Sequence, residues 1–339
     1  MKKKSLNVQK INLSLKNKYI NFIYKDFEAK LNKNKHYAVA VSGGPDSLAL
    51  AFLTKCFSKK HHTRFNYYLV DHKLRPESSK EAKKVIKLLK KIEVTCKILE
   101  WKGKKPRSNI QSIARYNRYS LLVKECNKNK IQNIILGHHK DDRYENFFIR
   151  LTRGSGLKGL ASFSEKSKNF NMNFLRPLLD FKKNQLIYIS KNIFKSYVED
   201  PSNDNLKFKR TRLRFLIQEL EKEGLDKRKL NLTLSNLKDS NNALEFYSDQ
   251  NVLKNCHMNK LKNIAILKKS FFLQPNEVIF RSLITVMKRI SNNYYPPRGK
   301  SIIRLLEPFK NEKIVKKLTL GGCVFKKVNE TIIISKEIT

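Results

Sequence analysis

The chain has 339 residues and carries 72 Lys and Arg against 29 Asp and Glu, a formal net charge of +43. That length fits about two domains with a substantial core, and the charge excess attracts polyanions, nucleic acid first among them. The five cysteines are scattered without a Cys-x-x-Cys pair, no apolar stretch follows the basic residues 1–4, and no apolar run approaches the ~20 residues that span a bilayer. These features exclude a zinc ribbon, a paired redox site and a membrane span, and they predict a cytoplasmic protein with buried, unpaired thiols.

Residues 1–34 read as a polar leader followed by a helix over 19–31, with Ile20, Ile23, Phe27 and Leu31 at helical spacing. A strand over 36–41 then runs into Ser42-Gly43-Gly44-Pro45-Asp46-Ser47 and a helix over 48–57. The unbroken apolar run Ala38 to Val41 is what a strand covered on both faces looks like. The two glycines let the backbone turn sharply and approach a ligand. The free amides and positive dipole end of the following helix form an anion site, and Ser42 and Ser47 add hydroxyl donors. Asp46 would repel a phosphate unless a cation lay between them, which points to a nucleotide with Mg²⁺. The spacing is not that of the P-loop NTPases.

Further strands over 65–70, 94–99 and 131–136 alternate with helices over 77–91, 110–126 and 141–151. The alternation predicts an α/β fold, a parallel sheet with helices on both faces. Ligands of such sheets sit beyond the carboxyl ends of the strands. Three clusters fall there: Ser42 to Ser47, Asp71-His72 to Arg75, and His138 to Glu145. Residues 152–182 read as loop-rich, 185–195 as a helix and 199–203 as a turn. A helix over 207–223 opens with Lys207, Lys209, Arg210, Arg212 and Arg214, a charge density suited to phosphates. Residues 225–290 read as mainly helical. Tyr294 to Gly299 marks a break, and the tail carries strand-like runs over 316–320 and 331–335. The expected organisation is a leader and helix over 1–34, an α/β domain over 35–215, a mainly helical domain over 216–297, and a short α+β tail over 298–339.

The block Ser42 to Ser47 resembles the PP-loop of the N-type ATP pyrophosphatases, a Rossmann-like family that cleaves ATP between its α and β phosphates. The likeness extends further. Asp71-His72-Lys73-Leu74-Arg75, Ala114-Arg115-Tyr116-Asn117-Arg118-Tyr119, His138-x-x-Asp141-Asp142-x-x-Glu145, Arg153-Gly154-Ser155-Gly156-Leu157 and Arg176-Pro177-Leu178 follow in the order seen in tRNA(Ile)-lysidine synthases. Over about residues 35–215 the chain looks like one of them, with Arg143 and Asn146 where that family usually carries Gln and Thr.

The resemblance implies a ligase using ATP and Mg²⁺. It would adenylate the C2 oxygen of the wobble cytidine in a CAU-anticodon tRNA(Ile), and free L-lysine would then displace AMP. It implies nucleotide binding by Ser42, Gly43, Gly44, Pro45, Asp46, Ser47, Asp71, His72 and Arg118. It implies catalytic roles for Asp46, His138, Asp141, Asp142 and Arg115, with Asp46, Asp141 and Asp142 on the metal. Contacts to tRNA would come from Arg153, Lys158, Arg176, Lys209, Arg210, Arg212 and Arg214. The attacking amine must be neutral, and its free pKa is about 10.4; His138 and His72 are equally defensible as its base. Plainer readings stand beside these: Asp141 as a helix N-cap, Arg115 and Arg118 as a solvated face, the His–Asp cluster as a transition-metal site. The rival functions are a tRNA 2-thiolation enzyme, an ammonia-using amidating synthetase, and a non-catalytic RNA-binding protein. The assembly state is open, a homodimer being one option.

Overall fold

A computed structural model describes residues 14–73, 76–103, 110–199, 206, 209–259, 261, 263–292, 297–310 and 317–337. Leu74, Arg75, Lys207, most of the 199–203 turn and most of the expected leader lie outside the described residues. The chain divides into two compact units, Met1–Asp226 and Lys227–Thr339.

In the first unit, α1 (Lys18–Glu28) starts where the Asn17 side chain accepts from the amides of Tyr19 and Ile20, and it buries Ile20, Ile23, Tyr24 and Phe27. Then come β1 (Tyr37–Val41), α2 (Pro45–His61), β2 (Phe65–Asp71), α3 (Ser78–Lys90), β3 (Cys96–Glu100), α4 (Ile110–Lys128), β4 (Asn133–Ile135) and α5 (Lys140–Leu151). After them follow α6 (Leu157–Leu160), β5 (Lys166–Asn169), β6 (Met172–Leu175), α7 (Lys183–Phe194) and α8 (Lys209–Lys222). The sheet order is β3-β2-β1-β4-β6-β5, parallel throughout except for β5 against β6.

Alternation along β1 sends Tyr37, Val39 and Val41 into one core, with Phe27, Leu50, Leu89 and Leu186. It sends Ala38 into the other, with Tyr68, Leu122, Ile134 and Phe174. Helix α2 is apolar all round from Leu48 to Leu53 and is buried accordingly. The chain leaves β1 toward β2 on one side and reaches β4 and β6 on the other. The crevice between β1 and β4 is therefore the switch point at which such sheets bind ligands.

Residues 152–182 are not merely loop. Strands β5 and β6 form a hairpin whose turn residues, Phe170 and Asn171, both lie in the left-handed region (φ 49° and 56°). Strand β5 reads Lys-Ser-Lys-Asn, with no apolar residue to signal a strand, and the turn lacks the usual glycine.

The second unit contains α9 (Lys227–Asn255), β7 (Cys256–Asn259), β8 (Ile264–Leu267), a 3₁₀ turn (Lys269–Phe272), α10 (Asn276–Ser291), α11 (Gly299–Lys310), β9 (Leu318–Leu320), β10 (Cys323–Val328) and β11 (Thr331–Lys336). Its antiparallel sheet runs β7-β8-β11-β10-β9 over a core that includes Leu267, Phe271, Val286, Ile302, Phe325 and Ile334. The tail strand β11 pairs with β8, and β8 with β7, so the stretch expected to be mainly helical supplies two strands to the tail's sheet. Each is only four residues long, too short to carry a period against the helical stretches around it. Among the described residues no helix is long and apolar enough to cross a membrane.

Candidate active site at the switch point

The loop after β1 is built around Ser47. Its Oγ accepts from the amides of Ser42 (3.1 Å) and Gly43 (3.0 Å) and donates to the Gly44 carbonyl (3.0 Å), so one hydroxyl fixes the turn before a ligand arrives. Gly43 lies at φ +93°, and a Cβ there would meet Val85 Cγ2 at 2.4 Å. The Val198 amide donates to its carbonyl (3.0 Å). Pro45 opens α2 at its first turn, where a missing amide hydrogen costs nothing. The loop after β4 passes close by, since a Cβ on Gly137 would stand 3.3 Å from the Ser47 backbone. The expected coincidence of the first and third clusters is thus a backbone-to-backbone approach.

His139 joins them. Its Nδ1 accepts from the Asp141 amide (3.2 Å), capping α5, which leaves the ring proton on Nε2. That edge faces Asp46 Oδ2 and Asp142 Oδ2, each at 3.7 Å. Asp142 Oδ2 also accepts from the His139 amide (2.9 Å). Burial pushes Asp142 upward, but His139, His138 and that amide outweigh it, and the carboxyl is held below its usual range. Burial wins at Asp46, with Asp142 adding to it, and that carboxyl is raised despite His139, Lys183 and Arg214. Asp46 Oδ1 is buried without a hydrogen-bond partner. Asp141 lies on the opposite, Nδ1 side of the ring (3.7 Å), so the three aspartates do not converge. Among the described residues no group of three His, Cys, Asp or Glu forms a metal cage.

Glu145, one helical turn after Asp141, faces inward instead. Its Oε1 accepts from Arg214 Nε (2.5 Å) and its Oε2 is unpartnered. Burial lowers the Arg214 guanidinium, but Glu145, Asp142 and Asp46 raise it further, so this half-buried cation belongs to the acidic cluster.

On the other side His138 stands edge-on to Phe163 (5.3 Å). Burial, then Arg176, Arg115 and Arg210, push it down to about 3 against the pull of Asp142. His72 accepts from Arg118 Nε (3.3 Å) and is pushed down to about 4 by burial and then by that arginine. Both imidazoles are neutral at physiological pH, and conjugate acids this strong make poor proton acceptors for an amine. This environment argues against either ring as the base that takes the amine proton. Below the ordinary value of 6.5 the unfolded chain binds a proton that folded His138 refuses until about pH 3. Stability is therefore full above that window and falls as pH drops through it. Urea midpoints should show His138→Gln losing less stability than wild type on acidification, by up to about 1.4 kcal/mol per pH unit. A gap that does not change with pH would contradict the buried, neutral ring.

Asp71 is 4 % exposed, and its oxygens accept from Ser78 Oγ (2.8 Å), Ser79 Oγ (2.6 Å) and the Lys73 amide (2.9 Å). It fastens the loop carrying His72, and both its oxygens are engaged inside the protein. Arg176 is likewise interior at 8 % exposure, bonded to the Ser164 carbonyl and Ser167 Oγ and stacked over Phe163 (5.1 Å). Of the expected tRNA contacts, Arg153, Lys158 and Arg212 are exposed. Lys209 Nζ bonds Thr152 Oγ1 (2.9 Å). Arg115 lies over the Tyr119 ring (4.9 Å). Lys183 had no expected role, and His139 entered only through the transition-metal reading of the His–Asp cluster. His139 was hidden by the adjacent His138, since histidine is not among the usual N-cap residues.

The family profile of the PP-loop domain matches residues 12–220. The tRNA(Ile)-lysidine synthase of Wolbachia sp. subsp. Brugia malayi is 35% identical over 306 residues, 90% of this chain and 71% of that protein. The tRNA(Ile)-lysidine synthase of Rhodopseudomonas palustris is 32% identical over 308 residues, 87% of this chain and 89% of that protein. Among solved structures, the U34-tRNA thiolase NcsA from Methanococcus maripaludis covers 65% of this chain and 80% of its own, with a TM-score of 0.56 and 19% identity, a likeness of fold. A PP-loop at the switch point, an acidic helix start across from it and relatives matching over most of both chains make this chain a member of the tRNA(Ile)-lysidine synthase family.

Proposed function

We propose that this protein joins free L-lysine to C2 of the cytidine at position 34 of a CAU-anticodon tRNA(Ile), forming lysidine and releasing AMP and pyrophosphate. In the first step the C2 oxygen of the base attacks the α-phosphorus of ATP, and the bond to the bridging oxygen breaks as pyrophosphate leaves. In the second, the lysine ε-amine attacks C2, the C2–O bond breaks, AMP departs and the amine loses a proton. A carbonyl oxygen is a poor leaving group, and its attachment to AMP removes that barrier.

The observation that carries the reading is the facing of the Gly43 turn and the Asp46–His139–Asp142 cluster across one crevice. The acidic pair and the unpartnered Asp46 Oδ1 fit Mg²⁺, which takes few protein ligands and the rest from water and phosphate. Asp46 and Asp142 would hold it, and it would supply neutralisation of the charge developing on pyrophosphate. The amine meets a different environment. The burial that holds His138 neutral, with Arg176, Arg115 and Arg210 adding to it, would lower a bound ammonium in the same way, by lost hydration and like charge. The ε-amine would then reach C2 unprotonated without a dedicated base. Exposed Arg153, Lys158 and Arg212, with Lys209 and Arg210, serve the tRNA backbone.

Thiolation is less well supported. All five cysteines are free thiols, and burial pushes each of them up, to about 12 at Cys56, Cys96 and Cys126 and about 11 at Cys256 and Cys323. Sulfur transfer needs thiolates. The test is transfer of labelled lysine to total tRNA in the presence of ATP and Mg²⁺, with label expected on the CAU isoleucine acceptor alone.

A further inference from the structure

The switch-point crevice occupies the carboxyl ends of the parallel strands. At their amino ends lies a second concave feature that the proposed chemistry does not use. Strand register sets Lys168, Asn173, Asn133 and Tyr37 in one row across β5, β6, β4 and β1. Beneath this row is a cavity of about 350 Å³, lined also by Lys30, Lys35 and Lys166. It continues into a neighbouring hollow that shares Lys35, Asn133 and Asn173 and adds Lys130. Together they form one groove along the rim of the sheet.

Its charge is lopsided. Lys30 pairs with Asp180 and Glu165. Among the described residues Lys35, Lys130, Lys166 and Lys168 have no acidic partner. Ammonium groups gathered along a concave wall repel one another, and the arrangement is stabilised by an anion between them. In the lining Asn173 Nδ2 donates to Asn133 Oδ1 (3.1 Å), which ties the two amides together. Lysine is a point charge suited to phosphate oxygens. Lysines spread over two adjoining hollows fit a series of phosphates better than one compact anion does.

We propose that this groove binds consecutive backbone phosphates of an RNA strand, a contact remote from the reacting nucleotide. The proposal rests on the tRNA substrate proposed above. The groove grips the part of the tRNA that extends past the catalytic rim, so it contributes to affinity and not to chemistry.

The test combines Lys35→Ala, Lys166→Ala and Lys168→Ala in the full chain; all three side chains are exposed, so folding is undisturbed. Affinity for tRNA should fall about tenfold or more at low salt, and the slope of log affinity against log salt should shrink by about 2. KM for tRNA should rise while kcat holds. Amine-reactive labelling of the wild-type protein should show these lysines protected by tRNA. Unchanged affinity, slope and labelling overturn the groove, and protection by inorganic phosphate but not by tRNA overturns the RNA assignment. If wild-type protein transfers no lysine yet RNA still protects the groove, only the lysidine reading fails. If lysine transfer proceeds and the triple variant behaves as wild type, only the groove fails.

Discussion

Asp46→Ala should stop ATP cleavage while leaving tRNA binding intact. The Asp46 carboxylate stands where α2 begins, beside the Gly43 turn and across from Asp142, with one oxygen buried and unpartnered. Removal of a single preorganised electrostatic group from such a site costs on the order of 10²–10³ in rate. The effect on the fold has the opposite sign. Burial raises the Asp46 pKa, so the ionised form is less favourable in the native state than in the unfolded chain. A group raised in this way lowers stability as pH climbs through its folded pKa. Asp46→Asn should therefore be more stable than wild type at neutral pH, and inactive. Urea unfolding beside an AMP-release assay checks both. An active variant, or a destabilised one, would contradict the placement of this carboxylate.

Gly43→Ala should be the most damaging single methyl in the first unit. A backbone at φ +93° is open to glycine and strained by about 1–2 kcal/mol for alanine. The new Cβ also overlaps Val85 Cγ2, and overpacking of that kind costs about 1–3 kcal/mol. The sum, about 2–5 kcal/mol, would appear in the urea midpoint and in a raised KM for ATP. The two parts separate by pairing. Val85→Ala clears the overlap but not the strain, so the double variant should show a favourable coupling of at least about 1 kcal/mol in stability. Its ATP turnover should stay low. Additive losses would mean that the turn shifts away from α3 without difficulty.

The loop, the β–α alternation and the three strand-end clusters were legible because each depends on local pattern: an apolar run, two glycines, a helix start. What stayed hidden depended on partners distant in sequence. Arg214 stands in a run of surface-like cations, yet its partner Glu145 is 69 residues away and fully interior. Arg176 reads as a tRNA contact because arginine is usually exposed, but the Ser164 carbonyl, Ser167 and Phe163 build it a buried socket. Asp71 ends a strand as expected, and only the arrival of Ser78 and Ser79 at α3 shows both its oxygens committed. Strand β5 was invisible because it lies at the sheet edge and buries no apolar side chain.

The sharpest measurement follows two labels in parallel reactions containing protein, ATP, Mg²⁺ and a CAU-anticodon tRNA(Ile): one carries labelled L-lysine, the other a labelled sulfur donor. After digestion to nucleosides, lysine label is expected in a modified cytidine from position 34, with AMP released in step. Sulfur in the tRNA, or AMP released with no lysine incorporated, would contradict the proposed ligation.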